Sequence, residues 1–225
     1  MGILWMIVLF IIVLYAITWM FTKTKTLSNY NASDEPKVIE ATELSSPDSS
    51  NYSYSIWVYV SSWDTTATKN IFKRSYTSGT TTIYFPHVYL DTQDNKLVVK
   101  VSDTSSAGYT ACNVMNIPIQ TWTNIIVSMN TKVIDIYVNG KLIKTCIAGG
   151  IPSFNKAGKV ELTPSPTFVG YTARFIYNSS PTGPEDAWST YKSGPGGNML
   201  ASFLNQYRLK VSFLKGNEES ASITI

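Results

Sequence analysis

The chain contains 225 residues, with 18 Lys and Arg against 15 Asp and Glu and a formal net charge of +3. The basic residues form no block or stripe, so no nucleic-acid partner is expected. Tyr and Trp number 14 and 6, Ser and Thr are abundant, and charged residues are scarce. This composition favours strands and turns over helices, and the length suits one domain plus an appendage.

Residues 3–21 form an apolar segment without a charged side chain. As an α-helix it would be about 28 Å long, close to the ~30 Å hydrocarbon core of a bilayer. We therefore predict a single transmembrane helix within residues 1–22, with anchoring side chains near its two ends at Ile3, Trp5, Trp19 and Phe21. A cleaved signal peptide is disfavoured because no basic region precedes the segment and no small-residue cleavage site follows it.

The region after this segment has a different composition. Lys23 and Lys25 follow the apolar segment, and only the α-amine precedes it. The positive-inside rule therefore favours the cytosolic side for the remainder of the chain. Residues 23–50 contain Pro36, Pro47 and many Ser, Asn and Asp, which is typical of a linker or stalk, although Val38-Ile39 could add weakly to a sheet edge. We predict that residues 51–225 form the globular domain.

The clearest local signal is Asn139-Gly140 between two β-branched runs, which predicts a hairpin with a two-residue turn. Uninterrupted pairing from this turn would place Ile136 opposite Ile143. A preceding strand at 122–129 would extend the hairpin into an antiparallel meander. Such a sheet cannot bury one face alone, so a second sheet is required.

The pattern W-x-N-I-I-V…D-I-Y-V-N-G-K-L…C over residues 122–146 resembles the central hairpins of the concanavalin A-like, laminin G-like jelly-roll superfamily. Glu185-Asp186, between a strand ending at Tyr177 and Tyr191, is similar to the short helix near the end of that fold. The resemblance implies an all-β jelly-roll sandwich with one or two short carboxy-terminal helices, at about 184–191 and 198–206.

Catalysis is not expected. Glycoside hydrolysis needs two carboxylates roughly 5–9.5 Å apart. Glucanases of this superfamily carry an alternating E-x-D-x-E strand, which this chain lacks. Glu161 and Glu185 are the glutamates of residues 51–215. His87, the single histidine, has no matching nucleophile motif. We predict no catalytic residues and no cofactor.

A glycan-binding role remains an alternative. Four aromatic side chains in predicted loops or strand ends would stack on sugar rings if exposed, and would otherwise pack on the core: Trp63, Tyr76, Tyr84 and Tyr109. The family resemblance also implies Ca²⁺ binding through loop acids, for which Asp91 and Asp94 are candidates. This spacing is common in β-turns, however, and we predict no metal site.

Cys112 and Cys146 are the two cysteines of the chain. If they are paired, loop closure would stabilise the fold by roughly 3–4 kcal/mol. If the domain is cytosolic, free thiols are expected instead. The sequence leaves both alternatives open.

The full arrangement resembles a class of proteins from large icosahedral DNA viruses, especially those of algae. The resemblance rests on the anchor, the W-x-N-I-I-V stretch and the ending G-P-G-G-N…F-L-N-Q-Y-R-L-K-V-S-F, and covers about residues 1–215. It implies a structural, non-enzymatic minor capsid protein between the inner virion membrane and the capsid shell, with the lipid bilayer and capsid proteins as partners. The alternatives are a membrane-tethered glycan-binding lectin and a degenerate glycoside hydrolase.

Overall fold

The computed structural model describes residues 24–196 and the backbone of residues 210–215 and 218–224. The predicted anchor residues Ile3, Trp5, Trp19 and Phe21 and the predicted helix at 198–206 lie outside the described residues. Within the part that the structure describes, no helix has the length and apolar character needed to cross a membrane.

The described chain is almost entirely β-structure. In chain order the strands are β1 (Thr24–Ser28), β2 (Asn31–Ala32), β3 (Lys37–Ile39), β4 (Tyr52–Ser62), β5 (Lys69–Ser78), β6 (Thr81–Leu90), β7 (Lys96–Ser102), β8 (Tyr109–Met115), β9 (Thr123–Asn130), β10 (Val133–Val138), β11 (Lys141–Ile147), β12 (Lys159–Leu162), β13 (Val169–Asn178), β14 (Lys210–Lys215) and β15 (Glu218–Thr224). A 3-10 turn spans Ala41–Glu43, and helix α1 spans Pro184–Lys192.

Two antiparallel sheets form the sandwich. The first has the spatial order β1-β13-β4-β9-β10-β11, with β2 paired to β13, and the second has the order β3-β12-β5-β6-β7-β8. The pair β14-β15 forms a separate hairpin. Buried apolar side chains from both sheets form one cluster, which is the core enclosed between their inner faces. The fold is therefore the predicted all-β jelly-roll sandwich.

The strand at the centre of the first sheet is β4. It lies between β13 and β9 and is buried along most of its length. Ile56 and Val58 face the core between the sheets, whereas Trp57 lies on the opposite face, where helix α1 covers it. Burial on both faces explains why this strand lacks the polar alternation of a half-exposed strand.

The predicted hairpin at Asn139-Gly140 is present, but its predicted register is wrong beyond the first two pairs. Val138 pairs with Lys141 and Tyr137 with Leu142, after which the register shifts and Ile136 pairs with Lys144. The extra residue on β11 is Ile143, which is 51% exposed. A bulge of this kind bends the strand and redirects a side chain. Here the bulge leaves Ile143 without a paired residue on β10 and exposes its apolar side chain at the edge of the sheet.

The prediction of a linker or stalk at residues 23–50 is wrong for the described residues of this region. Strand β1 pairs with β13, and β3 pairs with β12, so the region adds an edge strand to each sheet. Leu27, Ile39 and Leu44 are buried in the core. The region is also held by Arg74, a fully buried side chain whose Nη2 donates to the carbonyl of Pro47 at 2.8 Å. The sandwich therefore begins at Thr24 instead of at residue 51.

Helix α1 packs on the outer face of the first sheet. Ala187 is buried against Ile126 and Tyr137. The loop before the helix is tied to the sheet by Thr182, whose N–H donates to Ser128 Oγ at 2.9 Å and whose carbonyl accepts from Tyr137 Oη at 3.2 Å. Pro184 at the first helical turn suits a position where the backbone N–H has no intrahelical acceptor. These contacts fix the helix over the β10-β11 hairpin.

Candidate functional site

Four aromatic side chains meet on the outer face of the first sheet, and we call them the aromatic cluster: Tyr30, Tyr59, Trp122 and Tyr171. Tyr30 and Tyr171 are stacked with ring centroids 5.3 Å apart, and Tyr59 lies 5.7 Å from Trp122. Tyr30 is 64% exposed and Tyr171 is 40% exposed. The rings therefore form a contiguous, solvent-facing apolar surface.

Strand register brings the cluster together. Tyr171 on β13 pairs directly with Tyr59 on β4, so the two rings project from the same face of the sheet. Trp122 immediately precedes β9, the strand on the other side of β4. Tyr30 comes from the β1-β2 loop, which is held against β13 by the Arg174 N–H donating to the Asn29 carbonyl at 3.1 Å. Each aromatic thus comes from a different part of the chain.

A groove of about 460 Å³ lies at the same end of the sandwich. Its walls are the end of β8, the β10-β11 turn and helix α1, and its exposed apolar side chains are Met115, Ile143 and Trp188. Lys141 is the charged residue among those that line it.

The segment 116–122 connects the groove to the aromatic cluster. Asn95 holds its start, because its Oδ1 accepts from the Ile117 N–H at 3.1 Å and its Nδ2 donates to the Ile117 carbonyl at 2.8 Å. Further along, the Gln120 N–H donates to the Val60 carbonyl at 2.8 Å. Ile119, between these two attachments, is 39% exposed. The cluster, the segment and the groove therefore form one continuous end of the sandwich, which we call the distal end.

The groove wall formed by α1 is held close to the hairpin turn. Gly140 has φ +75°, and a Cβ atom there would lie 2.9 Å from both Trp188 Cε3 and Tyr191 Cβ. Tyr191 stacks on the buried Trp57 with centroids 5.7 Å apart and an interplanar angle of 17°. The walls are therefore built from packed side chains and are formed before any ligand binds.

The chemistry of the distal end is that of a binding surface. Exposed aromatic and Met side chains with few charges at the centre are enriched in the cores of protein interfaces. Contiguous exposed apolar side chains on a folded domain commonly mark interaction sites. No nucleophile–base pair lies among the residues of the cluster or the groove.

The aromatic side chains predicted from the sequence do not form one site. Trp63 and Tyr76 are partly buried against the core, and the Lys69 ammonium lies 4.4 Å from the Trp63 ring centroid. Tyr84 and Tyr109 lie on the outer face of the second sheet, where Tyr109 is 43% exposed. Sequence reasoning missed the aromatic cluster because Tyr30 was assigned to a linker and Tyr171 meets Tyr59 only through strand pairing.

His87 lies in a row of rings on the outer face of the second sheet. Its ring is 5.1 Å from that of Tyr84 and 4.7 Å from that of Tyr89, and its Nε2 is 2.8 Å from Asn70 Oδ1. Burial lowers the pKa of His87 to about 4, with further lowering by the charges of Lys73 and Lys100. The histidine is therefore neutral at physiological pH and has a structural hydrogen-bond partner.

The loop acids considered for Ca²⁺ are engaged with a lysine. Lys96 forms ion pairs with Asp91 and Asp94. Asp91 accepts hydrogen bonds from the Lys96 ammonium and from the Thr92 N–H, and these bonds lower the pKa of its carboxyl group. Within the described residues, no group of three or more Asp, Glu, His or Cys side chains is arranged to hold a metal ion.

The two glutamates considered for catalysis are far apart in the fold. Glu161 lies on β12 of the second sheet and forms an ion pair with Lys73 at 3.3 Å. Glu185 lies in the first turn of α1, on the outer face of the first sheet. Because stacked sheets are about 10 Å apart, these carboxylates are separated by the thickness of the sandwich. They do not form the carboxylate pair that glycoside hydrolysis needs.

Cys112 and Cys146 form a disulfide with their Cα atoms 6.0 Å apart. It connects β8 with β11, the edge strands of the two sheets. Among the described residues there is no free cysteine. Of the two alternatives that the sequence left open, the structure thus contains the paired form.

The fold resembles solved bacterial toxin domains at low sequence identity. The receptor-binding domain of botulinum neurotoxin C/D mosaic serotype aligns with a TM-score of 0.58 and 14% identity over 76% of this chain and 44% of that chain. The binding domain of botulinum neurotoxin DC in complex with rat synaptotagmin II aligns with a TM-score of 0.54 and 15% identity over 73% of this chain and 42% of that chain.

A third toxin structure is similar. The ligand-binding domain of botulinum neurotoxin serotype D in complex with N-acetylneuraminic acid has a TM-score of 0.55 and 14% identity over 76% of this chain and 43% of that chain. This chain thus matches less than half the length of each toxin chain. At these identities the likeness concerns the fold alone.

No curated protein matches the chain in sequence. A family model does match: that of the concanavalin A-like lectin/glucanases superfamily, in its laminin G form, aligns with residues 34–176. This region contains both sheets except β1 and β2 and the last two residues of β13. The chain therefore belongs to the concanavalin A-like lectin/glucanases superfamily, with a laminin G-type domain.

Proposed function

We propose that this chain is a membrane-anchored, non-catalytic binding protein that holds a protein partner at its distal end. In its most specific form, it is a minor capsid protein that links the inner membrane of a large DNA virus to the capsid shell. The apolar segment at residues 3–21 would be the anchor, and the sandwich would contact the shell.

The observation that carries the proposal is the aromatic cluster. An apolar surface of four grouped rings is costly to expose to water, and burial against a partner stabilises a complex by about 25 cal/mol per Å² of apolar area. Tyr and Trp in such clusters are the side chains that most often dominate binding energy at protein interfaces. The preformed groove beside the cluster supplies a second contact region with the same apolar chemistry.

The toxin structures support a binding role in a general way only. Their binding domains are solved with a protein, synaptotagmin II, and with a sugar, N-acetylneuraminic acid. A chain that contains this fold is therefore compatible with either kind of ligand, and the choice depends on this chain's own surface. The exposed rings and the scarcity of charge at the distal end favour a protein.

Photocrosslinking in native membranes or virions tests the proposal. A photoreactive residue at position 171 should crosslink to a shell protein, whereas the same residue at position 109, on the opposite sheet, should not. Tyr171→Ala should weaken association of the shell protein with the membrane fraction, and Tyr109→Ala should leave it unchanged. Equal crosslinking at the two positions, or crosslinking to lipid alone, would contradict the proposal.

A second candidate function is a membrane-tethered glycan-binding lectin. The Cys112–Cys146 disulfide favours it, because disulfides persist outside the reducing cytosol. Lys100, whose ammonium lies 3.8 Å from the Tyr109 ring centroid, would add a charged contact beside an exposed ring. A glycan array separates the two functions: binding that Tyr109→Ala abolishes supports the lectin, and absence of binding by the oxidised protein argues against it.

A further inference from the structure

We propose that the end of the sandwich opposite the distal end rests directly on the bilayer, with Ile147 and Ile151 among the lipid headgroups. This inference rests on the proposed anchor at residues 3–21. It adds the orientation of the domain: one end would face the lipids and the distal end would point away from them.

Few residues separate the proposed anchor from the first sheet. The apolar segment ends at Phe21, and β1 begins at Thr24. Three residue steps reach at most about 10 Å. Because headgroups occupy roughly 5–8 Å on each side of the hydrocarbon core, Thr24 would lie at or just above the membrane surface. A stalk that could lift the domain away is absent between these two residues.

A row of paired residues starts at Thr24 and crosses the entire first sheet. In spatial order the row consists of Thr24, Asn178, Ser53, Ser128, Asp135 and Thr145. The end of the sheet beyond this row therefore lies at about the same height as the end of the anchor. At a spacing of about 4.8 Å between strands, the row extends roughly 24 Å along the membrane surface.

That end of the sandwich, which we call the proximal end and define by Thr131, Lys132, Ile147 and Ile151, exposes apolar side chains beside a lysine. Ile147 is 73% exposed and Ile151 is 66% exposed, the two highest values among the large hydrophobic side chains that the structure describes. The Ala148 N–H donates to the Lys132 carbonyl at 2.8 Å, so Ile147 is held beside an exposed lysine.

This combination suits a lipid surface. Exposed Ile side chains gain by entering the boundary between headgroups and acyl chains, while a neighbouring Lys extends to the phosphates. Two carboxylates lie near this end and both accept hydrogen bonds within the fold: Asp103, which is bridged to Pro152, from the Ser105 N–H and Thr110 Oγ1, and Asp135 from Thr145 Oγ1. The attraction would therefore be mainly apolar, with a contribution from Lys132.

This orientation also determines which way the distal end, with its proposed binding surface, faces. The Val169–Ser62 and Gly170–Val60 pairs lie at the other end of β4 and β13, far from Asn178. The aromatic cluster and the groove belong to that end. A domain that rests on its proximal end thus presents both of them away from the bilayer, where a shell protein would be found.

Depth-dependent fluorescence quenching on the full chain tests the inference. Ile151→Cys and, as the matched control, Ile119→Cys at the distal end are each labelled with NBD. The label is added without reductant, so that the native disulfide does not react. The proteins are reconstituted into phosphatidylcholine vesicles, with and without phosphatidylserine, that contain doxyl-labelled lipid. We expect loss of NBD fluorescence at position 151 and none at position 119.

The outcomes separate this inference from the proposed function. If the labelled proteins float with the vesicles but neither position is quenched, the domain stands off the membrane and the inference is wrong while the anchor stands. Quenching at position 119 would mean that the distal end faces the lipids, which also overturns it. If the protein does not float with vesicles, the anchor itself is wrong and the orientation falls with it.

Discussion

Gly140 and Trp188 approach so closely that a Cβ atom on residue 140 would lie 2.9 Å from Trp188 Cε3. The contact lies where the hairpin turn meets helix α1 and forms one wall of the groove. Gly140→Ala should lower the free energy of unfolding for two reasons: φ is +75°, which costs roughly 1–2 kcal/mol for a residue with a Cβ atom, and α1 must shift to make room. Urea denaturation measures the loss.

Gly79→Ala is the matched control. Gly79 also has a positive φ, +59°, but no heavy atom lies within 4 Å of its Cβ position. It should therefore show the backbone cost alone. The difference between the two variants measures the contact with α1, and equal losses would show that α1 does not pack on the turn. Gly140→Ala should also weaken partner binding at the groove, whereas Gly79→Ala should not.

His87 should make stability depend on pH between about 4 and 6.5. Burial and two lysines lower its pKa to about 4 in the folded protein, whereas an unfolded histidine has a pKa of about 6.5. Between these values the unfolded state binds more protons than the folded state, so stability rises with pH. The contribution is complete above pH 6.5, falls as the pH is lowered, and is lost by about pH 4, with a total of at most about 3 kcal/mol.

Urea denaturation at several pH values checks this dependence, and proton NMR of the His87 ring gives the pKa directly. His87→Gln keeps a side chain able to reach Asn70 but removes the titration, so its stability should be flatter over the same range. A measured His87 pKa near 6.5 would show that burial and the two lysines do not lower it, and would contradict this prediction.

The sequence predicted the features that local chemistry controls. Asn139-Gly140 requires a tight turn, so the hairpin and its first two residue pairs were predicted correctly. The bulge at Ile143 was not predictable, because it lies in the edge strand β11, whose position beside β8 is a tertiary contact that the turn sequence does not encode. A register drawn from the turn alone assumes that pairing continues without interruption.

The larger error concerned the region before residue 51. Its Pro, Ser and Asn content is typical of a linker, yet Leu27 and Ile39 fill core positions and β1 completes the first sheet. Short edge strands with few apolar residues carry a weak sequence signal. This error also concealed the binding surface, because Tyr30 reaches Tyr171 only when the β1-β2 loop lies on the sheet.

Lys69 should be essential for stability even though it carries a charge. Its side chain is buried at 2% exposure. Its ammonium donates to the carbonyls of Ala67, Thr92 and Asp91 at 3.0, 3.1 and 3.2 Å. Lys69→Met would leave these carbonyls without a donor, and we expect a loss of about 2–4 kcal/mol in the free energy of unfolding.

Lys73→Met is the control for this lysine. Lys73 forms an ion pair with Glu161 at 3.3 Å, with side-chain exposures of 26% and 31%, and pairs of this kind contribute under about 1 kcal/mol. Thermal and urea unfolding of the two variants should therefore differ clearly. If both variants lose equally little free energy of unfolding, water reaches the three carbonyls in Lys69→Met, and the predicted cost of leaving them without a donor is wrong.

The Cys112–Cys146 disulfide should stabilise the fold and the groove together. It closes a loop with a sequence separation of 34 residues, for which the chain-entropy model gives roughly 3–4 kcal/mol. The double variant Cys112→Ser/Cys146→Ser should lose about this amount in urea denaturation and should no longer respond to reductant. The wild-type protein should lose the same amount on reduction.

Partner binding gives a second, independent readout of the disulfide. Met115 follows Cys112 on β8, and Ile143 precedes Cys146 on β11, so the disulfide sets the distance between two walls of the groove. Reduction should therefore weaken binding at the groove more than it weakens contact with the aromatic cluster. Crosslinking from position 143 measures the first effect, and crosslinking from position 171 measures the second. Two alkylatable thiols in protein taken from its native membrane would instead support the free-thiol alternative. That result would favour a reducing compartment, and with it the capsid-facing role over the lectin.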